Sequence, residues 1–353
     1  MLSHRSKMSL ITLRHAFLLT VTGWFVAAIF CALPLAMSDL DLHYTDAFFE
    51  ATSGITTTGA TIIPDIQQAS DGVLIWRSMM QWFGGLGSVA FAIILLPYLK
   101  VGGMQIFKLE SSSGSQKVLP RSSDIITSLV KVYILLSALC MAVYFALGMD
   151  GFDAINHAMT TISTGGFSTH NTSIGRFDNI GIEYAAIFFM VLGALPFVLY
   201  IRMFYHKRFL FLNDEQVIAL TQGICGFVTV MTLWLAVNSD YSVEESFRYV
   251  LFHTVSVMTT TGFTTMEYTS WGGFAVLAFL LSGRRATFPR TWRVLYFLLL
   301  LAQVVLLCWQ PWLWLNGESV SGIGLALVVA DIVALIWLLT NRRLRACFNE
   351  VKE

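Results

Sequence analysis

Long apolar runs alternate with short polar connections along almost the whole chain. Runs long enough to cross a bilayer fall near residues 16–37, 74–99, 124–148, 180–204, 216–237, 292–309 and 321–341, with a shorter one at 268–283. Three amphipathic, aromatic stretches sit between them, roughly Tyr44–Ser53, Phe152–Ile162 and Glu244–Met258. None is long enough to cross. Each leads into a segment rich in hydroxyl residues and glycine: Thr56 to Thr61, Ser163 to Thr169, and Thr259 to Thr265. The pattern predicts an all-α polytopic membrane protein. Its repeat is a membrane helix, a short helix dipping part-way in, a returning Thr/Gly strand and a second membrane helix. Three such units are recognisable.

Repetition decides what the Thr/Gly segments mean. One alone fits close packing of membrane helices, where small residues collect. Three copies in the same context favour a pore. Non-helical backbone at membrane depth is tolerated only where protein buries it or it lines a watery cavity. There, consecutive carbonyls can replace a cation's water. Glycine supplies the unusual backbone angles, and a short helix ending just before the strand directs its partly negative end toward the cation. The candidate ion ligands are the backbone carbonyls of Thr57, Thr58 and Gly59; Ser163, Thr164 and Gly165; and Thr260, Thr261 and Gly262.

Composition supports the membrane assignment. Of 353 residues, 56% are hydrophobic and 12% charged, against about 25% charged in soluble domains. The net charge is zero, so nothing global argues for nucleic acid. Basic clusters at Arg5/Lys7/Arg14, Lys100–Arg121, Arg202–Arg208, Arg284–Arg293 and Arg342–Arg345 fall at both ends and in every second connection. The positive-inside rule then puts both termini in the cytoplasm and the Thr/Gly segments outside. The first apolar run, from Phe17 to Met37, exceeds a signal-peptide core and reads as a retained span. Residues 38–72 lack Lys and Arg but hold Asp39, Asp41, Asp46, Glu50, Asp65 and Asp71. Such a mouth would concentrate cations, although singly each carboxylate also fits a solvated loop.

The five cysteines are scattered and show no metal-ligand spacing. No HExxH, no GxSxG and no paired intramembrane aspartates occur, so no catalytic residues and no cofactor are expected. Arg77 either pairs with Glu50 or Asp46 or snorkels to the interface. His157 and His253 hold similar places in two short helices, which favours packing or hydrogen bonding over zinc. Gly84, Gly85 and Gly87 fit close helix contact.

Longer motifs carry a specific resemblance. They are Asp46 to Thr61, Gln81-Trp-Phe-Gly-Gly-Leu-Gly87, Leu96-Pro97 with Val101 to Gln105, Phe152 to His157 running on to Asn171, and Val257 to Thr265. Through them, residues from about Met8 to Phe279 resemble the TrkH/KtrB family of potassium uptake channels, nearer the TrkH branch. The resemblance implies four linked units around one pseudo-fourfold pore, carrying potassium and also rubidium. It implies a multi-pass protein of the bacterial inner membrane, a homodimer, and a cytoplasmic nucleotide-binding ring (TrkA-like) as regulator, which the connection 100–121 could touch.

The expected division is 1–122 for the first unit with its cytoplasmic connection, 123–213 for the second, 214–283 for a third with a short second helix, and 284–353 for a two-span tail outside the resemblance. The resemblance stops at Ser282-Gly-Arg-Arg-Ala-Thr-Phe-Pro-Arg290, where the family has a Gly/Ser/Thr-rich break in the helix. No Thr/Gly segment precedes the last apolar run. Three accounts fit: a truncated or frameshifted chain joined to unrelated sequence, a true fusion, or a subunit completed by a partner. The basic, proline-containing junction favours the first. Function therefore reads as potassium transport through carbonyl sites, with a non-conducting relic or a modulator of an intact homologue as the alternative.

Overall fold

A computed structural model describes residues 13–99, 122–206 and 214–271. The chain divides into two units, Met1–Val276 and Leu277–Glu353, and every described residue lies in the first. The expected spans at 292–309 and 321–341, most of that at 268–283, and the connection 100–121 lie outside the described residues.

Those residues form nine α-helices: α1 (Leu13–Ala36), α2 (Tyr44–Ile55), α3 (Asp71–Leu99), α4 (Ser122–Ala146), α5 (Gly151–Ile162), α6 (Ile180–Ala194), α7 (Phe197–His206), α8 (Glu215–Asn238) and α9 (Val243–Met258). The stretches Leu18–Ala36, Ile126–Ala146 and Gln216–Asn238 are long and apolar enough to cross a membrane. One expectation changes. The span predicted at 180–204 is two helices, because Pro196 holds Leu195 in extended backbone (ψ 145°) and ends α6. The apolar run predicted at 268–283 begins with a 3-10 turn over Tyr268–Trp271, and its remainder lies outside the described residues.

The short helices α2, α5 and α9 begin with polar caps. Asp150 accepts from the Asp153 N–H, and Ser242 and Glu245 form a reciprocal capping box. These caps satisfy N–H groups at the helix starts, so each short helix can begin in a wet layer and run inward. α1 packs on α2, α4 on α5, and α8 on α9. The returning helices do more. α3 packs on both α2 and α5, and α6 on both α5 and α9. Each returning helix thus leans on the short helix of the next unit, which sets the units in rotation about a common centre.

Burial is inverted relative to a soluble domain. Leu19, Phe25 and Phe30 on α1 and Leu135, Leu139 and Phe145 on α4 are exposed, while Glu50, Arg77, Gln81, Asn156 and Thr160 are buried. The apolar exteriors fit lipid; the polar interior surrounds the Thr/Gly segments.

Close approach of α3 to α2 depends on glycine. A Cβ on Gly84 would collide with the Ile55 carbonyl, and one on Gly85 would come within 2.8 Å of Ser163 and of the Tyr133 hydroxyl. Gly87 is different: its Cβ would meet Trp24 at an ordinary 3.5 Å. Gly84→Ala should therefore destabilise the fold by about 1–3 kcal/mol through overpacking, with Gly87→Ala near neutral. Thermal unfolding in detergent checks the contrast.

Candidate ion pathway

Each short helix stops at a hydroxyl residue, Thr56, Ser163 or Thr259, with φ of −85°, −75° and −84°. The next residue is left-handed: Thr57 at φ 55°, Thr164 at 51° and Thr260 at 61°. Two residues on, Gly59, Gly166 and Gly262 are left-handed again, at 79°, 77° and 83°. Thr58, Gly165 and Thr261 between them are not. The sign of φ therefore alternates along each segment, and alternation makes successive N–H groups converge on one side. They converge on a single helix carbonyl. Ser53 O accepts from the N–H groups of Thr58 (2.9 Å) and Gly59 (3.4 Å). Thr160 O accepts from Gly165 (2.9 Å) and Gly166 (3.3 Å), and Ser256 O from Thr261 (2.9 Å) and Gly262 (3.3 Å). A β-branched residue at positive φ costs on the order of 1–3 kcal/mol, and the fold holds three at matching positions.

This geometry corrects one expected equivalence. Residues 57–59 and 260–262 match Thr164, Gly165 and Gly166, not Ser163, Thr164 and Gly165. Ser163 is a helix cap, the counterpart of Thr56 and Thr259. The double glycine in Ser163-Thr-Gly-Gly166 conceals the frame.

The three segments stand side by side. A Cβ on Gly59 would strike the Gly165 carbonyl, and one on Gly166 would strike the Thr261 carbonyl. Gly262 differs: among the described residues, nothing lies within 4 Å of its Cβ position. Burial agrees. Thr56, Thr58 and Ala60 of the first segment are exposed where the matching Ser163, Gly165 and Phe167 are buried, and Thr260 and Gly262 of the third are exposed where the matching Thr164 and Gly166 are half-buried. The ring is open between Gly262 and Thr58 among the described residues.

Behind the segments, one position recurs nine residues before each left-handed glycine. Glu50, His157 and His253 occupy it, and all are buried. Glu50 accepts from the Thr61 hydroxyl (3.0 Å) and the Ile62 N–H (2.9 Å). His157 bonds the Asp153 carbonyl through Nδ1 (2.9 Å) and Ser168 Oγ through Nε2 (2.9 Å). With Nδ1–H donating to a carbonyl, Nε2 accepts from the serine. His253 lies between the Tyr249 and Met266 carbonyls (2.8 and 3.2 Å). Both histidines thus serve as hydrogen-bonding pins for the chain leaving its Thr/Gly segment.

Arg77 does not snorkel. It is buried, its Nε lies 2.8 Å from Glu50 Oε1, and its two other nitrogens donate to Ser168 O (3.2 Å) and Thr61 Oγ1 (3.3 Å). Its guanidinium also stacks 4.1 Å above the Phe167 ring. One turn along α3, buried Gln81 donates from Nε2 to Gly165 O (2.6 Å) and accepts the Phe167 N–H (2.9 Å). A second cross-unit ion pair joins Arg248 of α9 to Glu183 of α6. Sequence reasoning passed over Gln81 as a site residue. The available signal was its spacing of four from Arg77, which puts both on one helix face.

At the mouth, Asn171 ties two loops together: it accepts the Ile66 N–H (2.8 Å) and donates to Asp65 (2.8 Å). Hydrogen bonds from Asn171, Gln68 and the Gln67 N–H hold the Asp65 carboxyl below the usual range. The Gly175 N–H donates to Thr264 O (3.1 Å), joining the next pair of loops. A cavity of about 890 Å³ lies here, lined by Asn171, Arg176, Thr264 and Glu267 among others. Of the acidic residues expected at the mouth, Glu50 and Asp65 are therefore structural partners as well as charges.

The profile of the TrkH family, described as "Cation transport protein", matches residues 1–283. The chain belongs to the TrkH family. Among its relatives, the Trk system potassium uptake protein TrkI of Halomonas elongata is 40% identical over 264 residues, 74% of this chain and 54% of that protein. The crystal structure of the potassium transporter TrkH from Vibrio parahaemolyticus superposes with a TM-score of 0.70 at 32% identity, covering 79% of this chain and 57% of that one. The chain thus spans about half the length of the TrkH relatives it matches. A second profile, "Protein of unknown function (DUF2919)", matches residues 269–350. Over 79 residues, 22% of this chain and 53% of the relative, the chain is 99% identical to inner membrane protein YfeZ of Escherichia coli K12.

The buried pair gives a sharp test. Arg77→Met leaves the Glu50 carboxylate buried without its cation, so it should cost about 3–5 kcal/mol. Combining it with Glu50→Gln should recover a good part of the loss. Thermal unfolding of the purified single and double variants in detergent measures both.

Proposed function

We propose that this chain carries potassium ions across the bacterial inner membrane, with the three Thr/Gly segments as its filter. The observation that carries the reading is the threefold recurrence of one backbone conformation. In each copy the N–H groups are consumed by helix carbonyls, which leaves the carbonyls of residues 57–59, 164, 166 and 260–262 as the polar groups available to a cation, with the Gly165 carbonyl shared with the Gln81 amide. Oxygen suits a hard monovalent ion, and each short helix directs its C-terminal, partly negative end at the same place. The relatives' names supply the ion: potassium. No covalent chemistry is required. An inside-negative potential drives entry with about 2.3 kcal/mol per charge per 100 mV.

The same reading puts both termini in the cytoplasm. It includes assembly as a homodimer and regulation by a cytoplasmic nucleotide-binding ring, in a membrane whose lipid contacts the exposed faces of α1 and α4.

A second reading rests on a specific observation. Thr58 and Gly262 are exposed edges, and residues 269–350 resemble a different protein. A cation held on an open ring keeps part of its hydration and loses selectivity. On this reading the chain is a non-conducting relic of a fusion or truncation, or a modulator that associates with an intact relative.

Rubidium uptake by cells stripped of their own potassium uptake systems separates the two. Conduction predicts uptake above vector background, abolished by Gly166→Asp, whose Cβ would strike the Thr261 carbonyl in a left-handed position. Absence of uptake from a chain confirmed in the membrane overturns conduction. Co-purification with a full-length relative would then support the modulator.

A further inference from the structure

The middle Thr/Gly segment is held by a side chain from a different unit. Gln81 belongs to α3, the returning helix of the first unit, yet its amide spans the second segment's backbone 84 and 86 residues away. Nε2 donates to Gly165 O at 2.6 Å, and Oε1 accepts the Phe167 N–H at 2.9 Å. The two contacts bracket left-handed Gly166. A primary amide suits this task, because it offers a donor and an acceptor side by side. The fit is tight: a Cβ on Gly165 would collide with the Gln81 amide. Gln81 is wholly buried, so both bonds are shielded from bulk water.

The first and third segments are held differently. Their serines, Ser53 and Ser256, donate to Ala60 O (2.6 Å) and Phe263 O (2.7 Å), each seven residues on. The matching residue in the second unit is Thr160, whose hydroxyl turns back to Asn156 O and His157 O instead. The second unit thus lacks the internal hydroxyl pin, and the amide of Gln81 stands at its exit.

We propose that Gln81 is a positioning residue for ion selectivity: it fixes the orientation of the Gly165 carbonyl and, through Phe167, the peptide planes on both sides of Gly166. The inference rests on the potassium-conduction reading above. Its physical basis is that a filter discriminates among cations by the number and placement of its carbonyls, and a peptide freed from Gln81 can rotate. Glu at this position keeps the acceptor and regains the donor only as the neutral acid, so its effect depends on pH. Leu removes both bonds at similar volume.

The test compares potassium, rubidium and sodium in the full-length chain, both by uptake in potassium-uptake-deficient cells and by protection of the detergent-purified protein from heat. Gln81→Leu should lower the rubidium-to-sodium uptake ratio at least tenfold, and should erase the difference between potassium and sodium in heat protection. A merely structural role predicts something else. Fewer folded molecules would lower uptake of every cation by the same factor and leave the ratio unchanged, which would overturn the proposal. Gln81→Met checks that loss of the polar contacts matters and not side-chain branching; it should behave as Gln81→Leu does. If a variant does not accumulate in the membrane, the heat-protection ratio on the surviving protein decides, and an unchanged ratio counts against the proposal. A wild-type chain that shows neither uptake nor potassium-specific protection overturns the conduction reading, and this proposal with it. A selective wild type with equally selective variants overturns this proposal alone.

Discussion

The structure depends on the pairing of backbone N–H groups where the chain leaves its short helices inside the membrane. A bilayer core offers no water, and each unpaired buried N–H costs free energy comparable to a lost hydrogen bond. Six such groups, two per segment, are taken up by three carbonyls belonging to Ser53, Thr160 and Ser256. Sharing one acceptor between two donors demands that the chain curl tightly, and this curl forces positive φ on Thr57, Thr164 and Thr260. Strain in three threonines is offset by full satisfaction of the donors. The carbonyls are left over as a consequence of the same geometry.

Holding that curl requires contacts from outside each segment. The first unit supplies most of them for the second: Arg77 and Gln81 reach Ser168, Phe167 and Gly165. A charge pair as buried as Arg77 with Glu50 contributes little net stability by itself, since desolvation opposes attraction. Its effect is placement. Glu50 is anchored to Thr61 and Ile62 beyond the first segment, and Arg77 carries that anchorage across to the second.

Much of this was legible in the chain. The period of apolar runs placed α1, α3, α4 and α8, and the Thr/Gly segments marked the ends of all three short helices. What escaped depends on three-dimensional register. Ser163-Thr-Gly-Gly166 admits two alignments, and only the shared acceptor at Thr160 selects one. Glu50, His157 and His253 do the same work from the same position, but a carboxylate and two imidazoles share no chemistry that a linear reading would group. Arg77 near a helix end is compatible with an interface until its partner is seen. Pro196 lies inside an apolar run that reads as one span, because hydropathy is blind to backbone angle.

The separation between Gln81 and its partners also bears on how the protein is made. At synthesis rates of roughly 5–20 residues per second, the 84 residues between Gln81 and Gly165 take on the order of ten seconds to emerge. Throughout that interval the first unit carries an amide unanswered and a guanidinium only partly answered. Entering lipid alone would expose both to hydrocarbon, at a cost of several kcal/mol. The route of lower free energy keeps the first unit against protein or water until the second arrives to receive those groups. On that argument the lower-energy course brings units one and two into the bilayer together, which ties the order of codons to the order of assembly.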